Sequence, residues 1–402
     1  MENNSSSVEF VARIALITSL TALSIDSMLP ALPAIGESLQ VDNSNNLPLV
    51  ITLFIFGMFF GELVFGPLSD SLGRKKAMTI GVLIYCCGTV VAMVATSLES
   101  LLLGRMIQGF GVSGPKIISR AMIRDRFEGP RMARVFSFIM TVFICIPMVA
   151  PALGQFIVKV SGWRSIFFVF LVMAVGSTGW ILIRQPETLP AADRIPIRMR
   201  NLTRTASRIL SHPSVLCYSV TAGLVFGVFL LYLSTSQIMF EQIYDKGESF
   251  PAYFALLASG FGLAAILNSR LVMNYGMYRL CFGGLAGLTC LGVFSLVTGQ
   301  DGSHSFTVFM AGCYFFMFCV GVLFSNLSAM AMQPLGKVAG LGASLVSAVS
   351  SILAVVISVS VGRFYDNTLY PLSLSIVLCG TSSLCLIIVA QKVKAEAVAS
   401  SA

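Results

Sequence analysis

Gly66-Pro67-Leu68-Ser69-Asp70-Ser71-Leu72-Gly73-Arg74-Lys75-Lys76 is a short polar and basic stretch set between two apolar runs, residues 47–68 and 77–97. Each run is about as long as the roughly 20 apolar residues that a helix needs to cross a bilayer. The stretch therefore reads as the tight connection between two spanning helices, with Gly66 and Gly73 permitting the turn and a close helix approach. Its three consecutive cations mark a cytoplasmic loop. The pattern recurs 203 residues later, where Leu271-Val272-Met273-Asn274-Tyr275-Gly276-Met277 keeps the leucine and the glycine but has Met273 in the place of Asp70.

Outward from these two loops the whole chain is apolar. Its 402 residues are 56% hydrophobic and 11% charged, with a mean hydropathy of +0.87, whereas soluble domains carry about 25% charged residues. An ordinary soluble enzyme is excluded. Apolar runs at about 10–35, 47–68, 77–97, 100–122, 134–158 and 165–184 predict six spans, and runs at about 214–240, 251–273, 279–299, 305–333, 339–361 and 371–391 predict six more. The expected fold is an all-α membrane protein of twelve transmembrane helices. Residues 1–184 and 214–402 form two six-helix halves in parallel repeat, joined by a cytoplasmic linker at 185–213.

With a cytoplasmic amino terminus, the connections after even-numbered spans should collect lysine and arginine. Only Lys159, Arg164, Lys246 and Arg363 fall on the other side and only Arg105 and Lys116 lie deep within spans, away from their cytoplasmic ends, which leaves 20 of the 26 cations inside. Both termini are expected in the cytoplasm. The net charge of +8 is thus a topology signal, and no basic, aromatic-interleaved domain for nucleic acid accompanies it. The ten cysteines all lie in apolar stretches, and the two histidines, His212 and His304, in polar connections. A disulfide framework, a metal site and histidine chemistry within the membrane are therefore not expected. Nor is a cleavable signal peptide, since the first apolar segment is long and leads to no soluble domain.

The residues resemble a family. The stretch from Gly66 to Lys76 is similar to the loop between helices 2 and 3 of the major facilitator superfamily, and Arg105-Met106-Ile107-Gln108-Gly109-Phe110-Gly111 to its helix 4 signature. Asp26-Ser27-Met28-Leu29-Pro30-Ala31-Leu32-Pro33 and Ala150-Pro151-Ala152-Leu153-Gly154 resemble its drug:proton antiporters, in particular the Bcr/CflA drug-resistance branch. The resemblance implies a proton-coupled secondary transporter of a bacterial inner membrane that exports small amphipathic compounds, foremost drugs, by alternating access. Its partners would be a small-molecule substrate, protons and the lipid bilayer, without a cofactor, and the chain would act as a monomer. The alternative is an exporter of an endogenous metabolite such as a siderophore. In the resembling antiporters the helix 5 segment, here Pro147, Pro151 and Gly154, bends at the interface between halves and limits leakage; Gln155 stands where that family often has a second glycine.

Ionisable residues are costly in hydrocarbon, by about 2.5 to 3.5 kcal/mol on insertion scales, and normally face a cavity or a partner. Four lie within spans, Asp26, Glu62, Arg105 and Lys116, and they are the candidates for proton or substrate coupling. Asp26 follows Arg13 by 13 residues, or roughly 20 Å of helix, near mid-membrane, where it can act as a proton or substrate switch or as a fixed hydrogen-bonding group. Arg105 can reach the same part of a cavity as Asp26, or tie helix 4 to helix 1 through backbone carbonyls. Glu62 and Lys116 each precede a cytoplasmic helix end by eight residues, so their depths match at about 12 Å and they can pair; the other reading has Lys116 snorkelling to the surface.

Gly66, Asp70, Gly73, Arg74 and Arg124 form a candidate conformational gate, in which Asp70 receives hydrogen bonds from the start of helix 3 or pairs with a neighbouring arginine such as Arg124. Tyr232, Ser236, Gln237 and Asn326 are the candidates for neutral substrate contacts in the second half. Gly109, Gly111 and Gly114 spell GxGxxG, but inside a helix and after no strand, so a dinucleotide site is not expected. No P-loop pattern and no nucleophile and base constellation occur, which argues against ATP-driven transport and membrane-embedded catalysis.

Overall fold

A computed structural model describes residues 4–127, 129–195, 204, 206, 207, 209–298 and 305–401 of the chain. The described residues fold into helices: α1 (Asn4–Asp26), α2 (Leu32–Ser38), α3 (Leu49–Leu72), α4 (Arg74–Met93), α5 (Leu98–Arg126), α6 (Gly129–Ser161), α7 (Arg164–Arg184), α8 (Pro213–Gln242), α9 (Phe250–Thr298), α10 (Phe306–Met332), α11 (Ala339–Gly362) and α12 (Tyr370–Ser401). Among the described residues nine helical stretches are long and apolar enough to cross a membrane. One of these, Phe250–Thr298, is 49 residues long and is broken at Gly276. The protein is a multi-pass membrane protein.

Contacts divide the chain into two compact units, Met1–Arg198 and Met199–Ala402. In the first unit α5 is the central helix, packed against α3 on one side and α4 on the other. Small residues make these packings close. A methyl group on Gly57 would overlap the Met106 carbonyl of α5, one on Gly109 the Phe54 carbonyl of α3, and one on Gly111 the Tyr85 amide of α4. The helices thus approach to backbone contact, as small-xxx-small spacings allow. In the second unit α8 packs against α11 and α12, and α9 against α10 and α12. There Gly223 and Gly227 of α8 admit Leu353 and Ile357 of α11.

Two features depart from straight spans. The first predicted span, 10–35, is interrupted: Pro30 has no N–H to give to the Asp26 carbonyl, so α1 ends at Asp26. The chain turns through a 3-10 segment, Leu29–Ala31, before α2 resumes it. The second is the repeated loop. Gly73 has φ +95° and ψ 157° and Gly276 has φ +76° and ψ 157°, a backbone region open in practice to glycine alone. The two glycines 203 residues apart therefore make the same break between consecutive helices.

The start of the predicted linker belongs to the first unit. Gln185 is buried and accepts from Arg13 Nη2 at 3.2 Å, and Ile195 N donates to the Asp70 carbonyl at 3.0 Å. Linker residues 196–203, 205 and 208, and His304, lie outside the described residues.

Candidate functional site

Asp26 sits at the break in α1, 5% exposed, and its carboxylate has no ion pair among the described residues. Gly154 of α6 packs directly on this break, for a methyl group there would overlap the Ser27 carbonyl oxygen. Pro147 and Pro151 precede it within the same helix. The helix 5 motif and the helix 1 acid thus meet at one point of the first unit.

Arg105 does not pair with Asp26. Its guanidinium is fully buried and all three nitrogens are engaged: Nε donates to the Val50 carbonyl at 3.0 Å, Nη2 to the Ser24 carbonyl at 2.8 Å and Nη1 to Gln108 Oε1. Its carbon lies 4.4 Å from the Phe54 ring centroid. Gln108 Nε2 donates in turn to Thr89 Oγ1 at 2.8 Å, and the hydroxyls of Ser24 and Tyr85 bond to each other at 2.7 Å. This polar knot ties α1, α3, α4 and α5 together. Only a planar fork can serve three acceptors in these directions, so the tie through backbone carbonyls, not proximity to Asp26, describes this residue.

Glu62 and Lys116 come together. Lys116 Nζ donates to Glu62 Oε1 at 2.6 Å, with the carboxylate side chain 0% and the lysine side chain 25% exposed. The close approach of α3 and α5 makes this reach available: a methyl on Gly61 would overlap the Phe110 carbonyl, and Ser113 Oγ donates to the Met58 carbonyl at 3.0 Å. A buried carboxylate without a cation would carry an uncompensated charge.

At the loop after α3 the hub is Arg74, itself buried. It pairs through Nη1 with Asp70 and donates to Ser69 Oγ at 2.8 Å, while Nε donates to Asp125 Oδ2 at 2.8 Å. Asp70 therefore takes its cation from its own loop rather than from Arg124, which is exposed. Gly66 contributes its carbonyl to Ser69 Oγ at 2.9 Å, and Gly73 makes the turn.

Two acids missed by sequence reasoning complete the cluster. Asp125 closes the second ion pair. Glu187 accepts from the backbone N–H groups of Arg74 and Lys75 at 2.9 and 3.1 Å. The first turn of α4 has no acid of its own, and a carboxylate at a helix N-terminus meets both its unsatisfied donors and its dipole. The only signal available in the sequence was that lack.

In the second unit Asn326 donates to Asn268 Oδ1 at 2.6 Å and to the Val322 carbonyl at 2.9 Å, which makes it a tie between α10 and α9. Ser236 bonds back to the Leu233 carbonyl at 2.9 Å. Gln237 leaves its buried Oε1 unpartnered, and Tyr232 faces a cavity inside the unit. Met273, in the place of Asp70, is 83% exposed; among the described residues the second loop keeps the glycine turn without the ion pairs. Among the described residues no group of histidine, cysteine, aspartate or glutamate could hold a metal ion.

A family model described as Major Facilitator Superfamily matches residues 14–358. The chain is 28% identical over 383 residues to a bicyclomycin resistance protein homolog of Haemophilus influenzae, covering 94% of this chain and 95% of that one. It is 26% identical over 328 residues to the multidrug resistance protein MdtL of Citrobacter koseri, covering 80% of each. Among solved structures the human organic anion transporter MFSD10 (TETRAN) matches with a TM-score of 0.71 at 18% identity, over 95% of this chain and 98% of that chain, a likeness of fold.

Proposed function

The chain belongs to the major facilitator superfamily, a family of transporters rather than enzymes, and on that premise we propose that it is a proton-coupled exporter of small amphipathic compounds, foremost drugs. It works by alternating access, with twelve spans and both termini on the cytoplasmic side of a bacterial inner membrane. The relatives named for bicyclomycin and multidrug resistance support the substrate class. The observation that carries the coupling is Asp26. A buried carboxylate with no cation beside it, at a break where helix hydrogen bonding is already interrupted, is costly as a fixed charge and useful as a group that takes up and releases a proton.

In this reading Arg105 positions helix α1 around Asp26 without touching it, because its bond to the Ser24 carbonyl lies two residues from the acid. The Glu62 and Lys116 pair is a second charged element, neutral as a whole, whose opening would accompany substrate or proton movement. The Arg74 cluster is the gate: two ion pairs and the Glu187 cap hold the ends of α3, α4 and α5 and the chain after α7 in one arrangement. A change of conformation has to break them. Substrates of no net charge fit a first unit whose membrane-embedded charges sum to zero.

The test is drug susceptibility of a pump-deficient bacterium expressing the protein, run beside metabolite profiling of its medium. Raised resistance to bicyclomycin, chloramphenicol or a sulfonamide is expected. An unchanged drug profile with accumulation of a host metabolite outside the cells would assign the protein to metabolite export instead.

A further inference from the structure

The second unit holds a cavity that the coupling residues do not use. It lies among α8, α9, α10 and α12, opens to the surface of the unit and has a volume of about 70 Å3. Its floor is formed by Tyr232 and Cys313, which are 1% and 8% exposed, and its mouth by Phe294 and Val308, which are 50% and 40% exposed. Tyr232 precedes the end of α8 by ten residues, so the floor is roughly 15 Å below that end, about half the thickness of the hydrocarbon layer. The mouth is apolar and lies within the last turns of α9 and the first of α10. No lining residue is charged.

Two polar features line this cavity. The Tyr232 hydroxyl is buried with no oxygen or nitrogen partner; only the Cys313 thiol stands within its reach, a weak partner. A thiol meets such a donor poorly, and a phenylalanine would fill the same space without a polar group to satisfy. Closer to the mouth, Ser295 and Ser373 bond to each other at 2.6 Å. Two hydroxyls in one mutual bond keep one O–H to offer. The cavity thus presents an apolar wall, donors at two depths and no charge.

We propose that this cavity binds a neutral, mainly apolar molecule that is dissolved in the bilayer and bears a hydroxyl or carbonyl oxygen, which accepts from the Tyr232 hydroxyl. The absence of any charged lining residue excludes an ion, and the hydroxyl at the floor selects an oxygen-bearing molecule over a plain hydrocarbon tail. The site stands independently of the coupling residues, all of which lie in the first unit.

The experiment is photolabelling of the purified full chain in lipid nanodiscs with a diazirine-bearing octanol, the adducts being mapped by mass spectrometry. The same diazirine on octane without the hydroxyl is the control. Adducts concentrated on residues of the cavity are expected, together with roughly fivefold weaker labelling in Tyr232→Phe, the loss of one hydrogen bond. Gly312→Leu fills the cavity and should abolish the adducts; its Cβ makes only an ordinary contact with Leu291 at 3.5 Å, and its thermal midpoint, measured beside the parent's, is expected to stay within a few degrees. If the octane labels the cavity as strongly as the alcohol and Tyr232→Phe changes nothing, an acyl chain is the occupant and the proposal is wrong. Adducts spread over lipid-facing residues such as Phe282, unaffected by Gly312→Leu, would also overturn it.

Discussion

Glu62 and Lys116 show how a charge is tolerated within a span. Neither is placed by local chemistry, and their distance of 2.6 Å follows from equal depth on two helices that the glycines of α3 and α5 let meet. Removing Glu62 leaves the Lys116 cation, 25% exposed, without its partner, a loss that reaches about 3 to 5 kcal/mol where a pair is fully buried. Glu62→Gln alone should therefore lower the thermal midpoint and transport more than Glu62→Gln combined with Lys116→Met. Additive defects in that double-mutant cycle would show that the two side chains do not act as a pair. For Arg105 the expectation differs, since Lys keeps the charge and loses the fork: Arg105→Lys should lower the thermal midpoint by several degrees even without substrate. A variant as stable as the parent that only loses transport would contradict its role as a tie. Of these residues, Asp26, Glu62 and Lys116 were legible because helical rise converts sequence distance into depth. That Arg105 could tie helix 4 to helix 1 through backbone carbonyls was legible too, but not which carbonyls, because tertiary packing selects them, and Asp125 and Glu187 were not, because 51 and 113 residues separate them from Arg74.

The two glycine turns offer a matched comparison at the level of elements. Gly73 and Gly276 share a backbone conformation that costs other residues about 1 to 3 kcal/mol, so Gly73→Ala and Gly276→Ala should lower stability by similar amounts. A methyl on Gly73 would also lie 2.8 Å from Glu187 Oε2, whereas one on Gly276 meets nothing. Transport should therefore fall several-fold further in Gly73→Ala than in Gly276→Ala when rates are compared at equal amounts of folded protein; equal rates would remove the Glu187 cap from the account of the gate. Glu187→Gln keeps one carbonyl oxygen for two N–H groups and should fall between the parent and Glu187→Ala. The element boundaries were largely legible from apolar runs. What the runs did not display is that α1 stops at Asp26 itself, or that the chain from Gln185 to Ile195 folds onto the first unit, since polar composition alone reads as a loop.

For the molecule as a whole, family, helical class and the repeat of the Gly73 turn at Gly276 were all written in a few motifs with fixed spacing. The chemistry divides unequally: among the described residues every ion pair lies in the first unit, while the second offers hydroxyls, amides and an apolar cavity. An exporter built this way should stop coupling when one carboxylate is neutralised, yet keep its fold, because among the described residues Asp26 holds no ion-pair partner that would be orphaned. Drug-induced proton flux through the purified protein in liposomes, read with a pH-sensitive dye across a panel of bicyclomycin, chloramphenicol and a sulfonamide, tests this most directly. At least one of these compounds should drive proton movement through the parent protein and none through Asp26→Asn; flux that persists unchanged in Asp26→Asn, or a panel that moves no protons at all, would contradict the account.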